Sequence, residues 1–312
     1  MSKQTTNHEP RTTNPTIWAL TDGRPGNDNQ VIAVAAALGE YENRRIEFAP
    51  SASLPNLLLG TTDLGILSDL NPPCPDIVIG AGRKLARVAR IIKKENPNTK
   101  IIQLMWPGYG ARDFDLIFAP EHDNLKPRKN LIPTNGPPNL MTEDLLKASV
   151  IKWQPRIPID EKPVIAVLIG NISDDEAKTL VSILNYTTGY LMITTSRRTH
   201  PETTALIKER LNRERYLYEY APNTENPYLG MVALADFIIV TQDSISMMSE
   251  CVTAGKPTYI FETDTPKKHK FFAQSLIDSG KAKLLKDRNL ESYEYEPLNT
   301  LSYIVHKIRE LL

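Results

Sequence analysis

The chain of 312 residues is poor in the side chains that form disulfides and metal sites. It has two cysteines, Cys74 and Cys251, and five histidines, and none of them forms a CxxC, HxxxH or HxH pair. Disulfide frameworks and zinc sites depend on such pairs. We therefore expect reduced thiols and no metal bound by protein side chains alone.

An excess of one charge and a long apolar run are also missing. Lysine plus arginine number 37 and aspartate plus glutamate number 37, so the formal net charge is zero. Without a basic excess, the sequence predicts no nucleic-acid partner. No apolar run approaches the roughly 20 residues that span a bilayer, so no transmembrane segment is expected. The sequence neither predicts nor excludes contact with a membrane surface.

The first 15 residues, MSKQTTNHEPRTTNP, are polar. They lack the apolar core of a secretory signal, and we interpret them as a disordered leader. We expect a cytoplasmic location, with peripheral attachment to a membrane as the alternative.

Short runs rich in β-branched residues alternate with amphipathic stretches along the chain. The predicted strands of the first half are 16–20, 44–48, 76–79, 100–105, 115–119 and 130–134. Those of the second half are 163–170, 190–195, 215–220, 236–240 and 257–261. Strands that alternate with helices indicate βαβ units and parallel sheets covered on both faces.

The helix after the third strand shows the periodicity clearly. Leu85, Val88 and Ile91 share one face, which is predicted to pack on the sheet, whereas Arg90 and Lys93 lie on other faces and are expected to be solvated.

The segment WQPRIPIDEKP, residues 153–163, has three prolines and no periodicity, so we interpret it as a linker. The predicted fold is α/β, with two Rossmann-like doubly wound parallel-sheet domains facing a cleft. The predicted divisions are a leader (1–15), an N-terminal domain (16–152), the linker (153–163), a C-terminal domain (164–296) and a last helix (297–312). Packing of this last helix on the N-terminal domain is one possible arrangement.

Ligands of open parallel sheets bind beyond the carboxyl ends of the strands, so these loops are the candidate sites. In the first half, TDGRPGNDNQ (21–30) is either a polar or anionic ligand loop or a simple Asx turn. GAGRKL (80–85) half-matches GxGxxG, but Leu85 replaces the third glycine and no acidic residue ends the next strand, which disfavours a nicotinamide cofactor. Arg83 there indicates either an anion site or plain packing. The sequence predicts no cofactor.

The loop FAPEHD (118–123) places His122 between two carboxylates at a strand end. A histidine in that position is a candidate acid or base, although an isolated loop histidine is often simply exposed.

Two loops of the second half suggest an anion site. Ser196, Arg197 and Arg198 follow a strand and precede a helix, and arginine forks pair well with phosphate. The stretch TQDSISMMSE (241–250) ends another strand and starts a helix, whose free N–H groups can bind a diphosphate. Glu250 follows on that helix and could accept both ribose hydroxyls. The alternative is a capped helix with a solvated glutamate.

This strand, small-residue loop, Glu250-bearing helix and Gly255-Lys256-Pro257 turn resemble the donor domain of glycosyltransferase-B enzymes. The resemblance implies that the start of the helix meets the diphosphate of a sugar nucleotide and that Glu250 holds its ribose. The chain as a whole is similar to the mitochondrial-fission "elongated mitochondria" family through DGRPGNDNQ, PDIVIGAGRKLARVARIIK, FDLIFAPEHD, SRRT, NPYLGMVALADFIIVTQDSISMMSE and GKP. These segments run in order from residue 20 to about 262.

One position departs from the family pattern. Family members commonly carry histidine where Asn27 stands, and an asparagine cannot act as a base. If that position is catalytic in relatives, then His122 or Asp22 takes the role here, or the protein lacks activity.

The primary hypothesis is a glycosyltransferase-like protein that binds a nucleotide-diphosphate sugar in the cleft, with an acceptor that the sequence does not identify. Whether it is an active, metal-independent enzyme is left open. The candidate nucleotide-sugar residues are Ser196, Arg197, Asp243, Ser244, Ile245, Ser246 and Glu250. The candidate acceptor or anion residues are Gly23, Gly26, Asn27, Gly82 and Arg83, with Asp22 and His122 as candidate catalytic groups.

Two alternatives remain at the sequence level. The first is a non-catalytic adaptor that keeps the fold for protein contacts, as the resemblance to fission factors implies. The second is an NAD-dependent sugar epimerase, which Leu85 and the lack of a well-placed YxxxK pair disfavour.

Overall fold

A computed structural model describes residues 15–70 and 73–312. All but the last residue of the expected leader lie outside this range. The described strands are β1 (Ile17–Thr21), β2 (Glu42–Arg45), β3 (Ile77–Ala81), β4 (Lys100–Leu104), β5 (Leu116–Pro120), β6 (Leu131–Thr134), β7 (Val164–Leu168), β8 (Tyr190–Thr194), β9 (Arg215–Tyr218), β10 (Phe237–Thr241), β11 (Thr258–Phe261) and β12 (Lys283–Leu284).

The described α-helices are α1 (Pro25–Leu38), α2 (Asn56–Leu59), α3 (Gly82–Glu95), α4 (Glu143–Trp153), α5 (Asp174–Leu184), α6 (Pro201–Arg210), α7 (Tyr228–Leu234), α8 (Ile245–Thr253), α9 (Lys267–Asp278) and α10 (Thr300–Leu311). Among the described residues, no helix is both long enough and apolar enough to cross a membrane.

The strands form two sheets of six. The first has the order β2-β1-β3-β4-β5-β6, and the pairs from β2 to β5 are parallel. The second has the order β12-β11-β10-β7-β8-β9, and its pairs are parallel throughout. The prediction of two Rossmann-like doubly wound sheets is confirmed. Each of the eleven predicted strands has a counterpart, and only β12, a strand of two residues, was missed.

Sheet order decides where a ligand can reach the backbone. Numbered within its own half, the second sheet runs 3-2-1-4-5-6, so the order reverses between β7 and β10. The first sheet reverses between β1 and β3. The loops after two such neighbouring strands leave in opposite directions and open a crevice, which is where ligands bind in this class of sheet. The site should therefore lie at residues that follow β7 and β10.

The chain divides into two compact units, one ending at Phe118 and one beginning at Ala119. In the second unit, β7 buries both of its faces. Val164, Ala166 and Leu168 belong to one apolar cluster, whereas Ile165 and Val167 belong to another. Successive side chains of a strand point to opposite faces, so a continuous apolar run forms a strand that is covered on both sides.

The segment that we expected to be a linker is partly packed. Trp153 ends α4 and, together with Ile157, lies in the core of the second unit. A side chain at Gly230 on α7 would overlap the indole of Trp153, so a glycine lets the two helices approach closely. The domain boundaries predicted from the sequence stay a prediction, as does the packing of the last helix.

Helix α3 differs from the sequence expectation. Arg87 is 1% exposed and Arg90 is 8% exposed, so this arginine face is not solvated. The guanidinium of Arg87 donates to the carbonyl oxygens of Thr62 and Leu64. Arg90 donates to Asp113 and to the carbonyl of Gly60. Backbone carbonyls of an irregular segment need donors, and this helix face supplies them.

Candidate functional site

The crevice of the second sheet is built around the Asp243 carboxylate, which is buried after β10. Its Oδ2 accepts from the amide of Asn171 after β7, at 2.8 Å, and its Oδ1 accepts from the Thr241 hydroxyl, at 2.7 Å. The Gly170 amide donates to Thr241 Oγ1 at 2.8 Å. These bonds tie together the two loops that leave the sheet in opposite directions.

Arg198 completes the charge balance of this crevice. Its Nη2 lies 2.8 Å from Asp243 Oδ2, and its side chain is 44% exposed. The pair removes the cost of a buried lone carboxylate and holds a guanidinium at the rim. Asp243, predicted as a nucleotide-sugar residue, thus has its carboxylate engaged by groups of the protein itself.

The loop from Ser196 to Thr199 is held in a fixed conformation by its own hydroxyls. The Thr199 hydroxyl donates to the Gly170 carbonyl at 2.7 Å and accepts from the Ser196 amide at 2.9 Å. Ser196 Oγ accepts from the Arg198 amide at 3.2 Å. Arg197 is exposed, and the described residues provide no ion-pair partner for it.

Helix α8 begins at this crevice, and some of its first backbone N–H groups have no acceptor among the described residues. The Ser244 side chain caps it by accepting from the Met247 amide. The amides of Ile245 and Ser246 have no acceptor among the residues that the structure describes. A helix start carries partial positive charge, so these two N–H groups favour an anion.

Glu250 lies one and a half turns further along α8 and is half-buried. Its Oε2 accepts a short hydrogen bond from the Tyr228 hydroxyl at the start of α7. Burial raises the pKa of Glu250 to about 7, and the bond from Tyr228 acts in the opposite direction. Burial also raises the pKa of Tyr228 well above its usual value, so that hydroxyl keeps its proton and donates. Near neutral pH, Glu250 is therefore present both as an ionised carboxylate, which only accepts hydrogen bonds, and as a protonated carboxyl.

The first sheet has a smaller polar edge of its own at the β1/β3 crevice. The Asp28 carboxylate, in the first turn of α1, accepts from the backbone amides of Asp22 and Gly23, and this ties the loop after β1 to the start of the helix. The Asp22 carboxylate accepts from the Arg24 guanidinium. A Cβ at Gly82 would come 3.1 Å from the side-chain nitrogen Nδ2 of Asn27, so the loops after β1 and β3 meet here.

The two remaining sequence candidates lie apart from this polar edge or beyond what the structure describes. Arg83 donates to the carbonyls of Ser53 and Leu54, so its guanidinium anchors the segment before α2. His122 lies in the 3₁₀ turn Glu121–Asp123 after β5. Its side chain is outside the described part of the chain.

Comparison with known proteins identifies the family. The family model described as mitochondrial fission ELM1 matches residues 25–312. The chain belongs to the mitochondrial fission ELM1 family. The resemblance inferred from the sequence is thereby confirmed.

Two relatives show how far the ELM1-family similarity extends. The uncharacterized protein RP120 of Rickettsia prowazekii (strain Madrid E) is 32% identical over 346 aligned positions, which cover 94% of this chain and 97% of that protein. The mitochondrial fission protein ELM1 of Arabidopsis thaliana is 28% identical over 273 positions, which cover 76% of this chain but only 64% of the plant protein.

Solved structures show the fold. Acinetobacter baumannii MurG superposes with a TM-score of 0.52 at 16% identity, over 95% of this chain and 99% of MurG. The UDP-GlcNAc 2-epimerase of Neisseria meningitidis, solved with UDP-GlcNAc bound, gives a TM-score of 0.52 at 16% identity, over 95% of this chain and 90% of the epimerase. This member of the ELM1 family therefore has the glycosyltransferase-B fold.

Sequence reasoning missed two partners in the site. Arg198 was considered only as one of a pair of arginines, and its bond to Asp243 bridges 45 positions of the chain. Tyr228 was not singled out at all, because nothing local marks a tyrosine that will meet a carboxylate 22 residues later. The position of both residues after neighbouring strands was the only signal available.

Proposed function

We propose that the second unit binds a nucleotide-diphosphate sugar at the β7/β10 crevice and that the chain is a glycosyltransferase-like protein. The observation that carries this proposal is the start of α8, where the amides of Ile245 and Ser246 have no acceptor among the described residues. Arg198 lies beside it, paired with Asp243, and Glu250 follows on the same helix. A diphosphate would accept from the amides of Ile245 and Ser246, and Arg197 would pair with it from the adjacent loop. The fold shared with MurG and with an epimerase solved with UDP-GlcNAc bound supports this assignment.

Glu250 would hold the ribose. An ionised carboxylate can accept from both hydroxyls of a ribose diol, while Tyr228 fixes its second oxygen. The carboxylate oxygen that Tyr228 leaves unengaged has lone pairs for both hydroxyls of a diol, and such an acceptor would favour a nucleotide over a simple phosphate.

Transfer of the sugar needs the leaving diphosphate to be stabilised as its charge grows. Helix-start N–H groups and the guanidinium of Arg198, which Asp243 holds at the rim, would do this with little reorganisation. Ser196 and Ser244 would shape the same loops. We propose that these helix-start and guanidinium donors carry the leaving charge without a metal held by protein side chains alone.

The first unit would supply the acceptor side. Gly23, Gly26, Asn27 and Gly82 would line an acceptor or anion site at the β1/β3 crevice, and Asp22 is the proposed base there. His122 is the second proposed acid or base. Arg83, with its donors engaged by carbonyls, would shape this site indirectly.

The test is calorimetric titration with UDP, GDP, ADP and CMP sugars at pH 8, where Glu250 is ionised. We expect one nucleotide class to bind, and we expect Glu250→Gln to weaken it about tenfold or more by removing the charged acceptor. The matched control is Glu209→Gln on the exposed face of α6, which should change nothing. If no nucleotide sugar binds the wild-type chain, the proposal is wrong.

A second candidate is a non-catalytic adaptor, and one observation favours it. The segment around α2 exposes five leucines, which is more apolar surface than a loop normally shows. They are Leu54, Leu57, Leu58, Leu64 and Leu67. If the protein acts through such contacts, Glu250→Ala will keep full cellular function while serine substitutions of these leucines abolish it. The reverse pattern would favour the transferase.

A further inference from the structure

A two-lobed cavity of the second unit shares no residue with the β7/β10 crevice. One lobe has a volume of about 550 Å³ and the other of about 440 Å³, and Glu121, Thr134, Asn135, Lys281 and Leu298 line both. Every lining residue belongs to the unit that begins at Ala119. Both volumes lie within the range of small-molecule sites, roughly 300–1,000 Å³.

Separate parts of the chain build the wall of this cavity. Glu121 begins the 3₁₀ turn after β5, and Thr134 ends β6. Leu276 of α9 and Leu298, which precedes α10, belong to the buried core of the unit and give the wall a fixed apolar part. The turn after β5, which the sequence marked as a candidate acid–base loop, thus lines a cavity.

The polar groups of the wall include acceptors and donors that the protein does not use itself. The described residues provide no hydrogen bond or ion pair for the Glu121 carboxylate or the Asn135 side-chain amide. Helix α10 begins at the wall of the smaller lobe, and within the described part of the chain the amides of Thr300, Leu301 and Ser302 have no acceptor. A carboxylate only accepts, a backbone N–H only donates, and a side-chain amide does both. The wall therefore suits a ligand whose groups both donate and accept.

The charges of the wall disfavour an ionic ligand. Glu121 and Glu296 bring two carboxylates, and Lys281 brings one ammonium, whose Nζ lies 2.6 Å from the backbone carbonyl oxygen of Glu296. An anion would face both carboxylates, whereas a cation would face Lys281 and the positive end of α10. A hydroxyl group meets neither penalty, because it can donate to a carboxylate and accept from an N–H.

Each lobe also has an aromatic side chain with an open surface. Phe271 lines the larger lobe and is 62% exposed, and Tyr303 lines the smaller lobe and is 42% exposed. A pyranose ring presents C–H groups on its faces and hydroxyls around its edge. It can therefore stack on an aromatic ring while its hydroxyls bond to a few polar groups, which is the composition of this wall.

We propose that this cavity binds an uncharged saccharide of one or two rings. Phe271 and Tyr303 stack on the sugar rings, and Asn135 and Glu121 bond to the hydroxyls. The inference goes beyond the proposed function and does not depend on it, because the ligand carries no nucleotide and none of these residues belongs to the crevice.

The test is calorimetric titration of the full chain with four uncharged sugars: methyl α-glucoside, N-acetylglucosamine, maltose and cellobiose. We expect at least one of them to bind with a Kd below about 10 mM. Phe271→Ala should weaken that sugar about tenfold or more by removing a stacking surface, and Asn135→Ala should do so by removing a donor and an acceptor. Tyr186→Ala is the matched control, because it removes an exposed aromatic ring of the same unit that does not line the cavity, and it should have no effect.

Two further measurements separate sugar recognition from other causes. Phe271 and Asn135 are exposed, so both variants should keep the thermal unfolding midpoint of the wild type. Glucosamine and glucose 6-phosphate, which carry opposite charges, should both bind more weakly than the best uncharged sugar. The inference is overturned if no uncharged sugar binds, or if both variants bind it as tightly as the wild type does. Tighter binding of a charged analogue that Asn135→Ala weakens would also overturn it, because the cavity would then select an ion.

Discussion

At Gly170, a hydrogen atom stands where any other residue would carry a Cβ, and a Cβ there would overlap the Asp243 carboxylate. That carboxylate cannot move away cheaply. It is held by the Asn171 amide, the Thr241 hydroxyl and Arg198. The Gly170 backbone does not adopt a left-handed angle, so it is the packing against the Asp243 side chain that requires a glycine here.

We predict that Gly170→Ala lowers the free energy of unfolding by about 1–3 kcal/mol, through the overpacking of a rigid polar network. Urea denaturation measures this change. Gly26→Ala is the control, because a Cβ at Gly26 meets nothing within 4 Å. If Gly170→Ala lowers the free energy of unfolding no more than Gly26→Ala does, the predicted crowding at Asp243 is wrong.

Glu250 makes stability depend on pH. Its carboxyl titrates at 4.5 when unperturbed and at about 7 in the fold. Between these values the folded state binds the extra proton, so the free energy of unfolding falls as the pH rises from 4.5 to 7. The cost is complete above pH 7 and amounts to at most about 3 kcal/mol.

We predict that Glu250→Gln removes this pH dependence, because a neutral amide in the same place can still accept from Tyr228. The variant should gain stability relative to the wild type at pH 8 and much less at pH 4.5. Denaturant unfolding at the two pH values measures the difference, with Glu209→Gln as the exposed control. A gap between variant and wild type that is the same at both pH values would contradict the shifted titration of Glu250.

At the scale of the element, helix α3 serves two neighbours. Its apolar face, with Leu85 and Val88, is buried as the periodicity predicted. Its arginine face, which was expected to be solvated, holds the carbonyls of residues 53–64 through Arg83, Arg87 and Arg90. A hydrophobic pattern reports only the face that packs on apolar groups. It cannot show that a basic face will meet a loop rich in free carbonyls.

We predict that Arg87→Ala destabilises the protein by about 2–4 kcal/mol, because it leaves two carbonyls without their donor and opens a cavity under the segment. The effect should be local at first. Amide hydrogen exchange should speed up at Thr62 and Ile66, whose turn bonds lie in that segment. Lys94→Ala, on the exposed side of α3, is the matched control. Unchanged exchange at both amides in the Arg87 variant would contradict the anchoring role.

At the scale of the whole molecule, the balanced charge has a physical consequence. With 37 basic and 37 acidic residues, net repulsion between copies vanishes near pH 7. We predict a solubility minimum there and higher solubility at pH 5.5 and 8.5. Precipitation with a neutral polymer across this range measures it. Lys94→Glu should move the minimum to lower pH, and a minimum that stays in place would show that exposed apolar groups dominate instead.

Much of the architecture could be predicted from the sequence, because alternating periodicity is a local property. The eleven strands of useful length were found from runs of β-branched residues, whereas β12 has two residues and no pattern to detect. The crevice loops were found as the segments that end strands. Their side-chain partners were not found, since Arg198 and Tyr228 reach Asp243 and Glu250 from segments that are distant in the sequence.

The sequence by itself determined the fold class, the loops that carry the candidate chemistry and, through its motifs, the family. Only the tertiary structure decided what each polar group does. It engaged Asp243 with Arg198 and left the amides of Ile245 and Ser246 without an acceptor among the described residues. It also buried Glu250 against Tyr228. The reason is physical: secondary structure follows from side-chain patterns within a few residues, but burial, charge pairing and pKa depend on neighbours that the sheet order brings from distant parts of the chain.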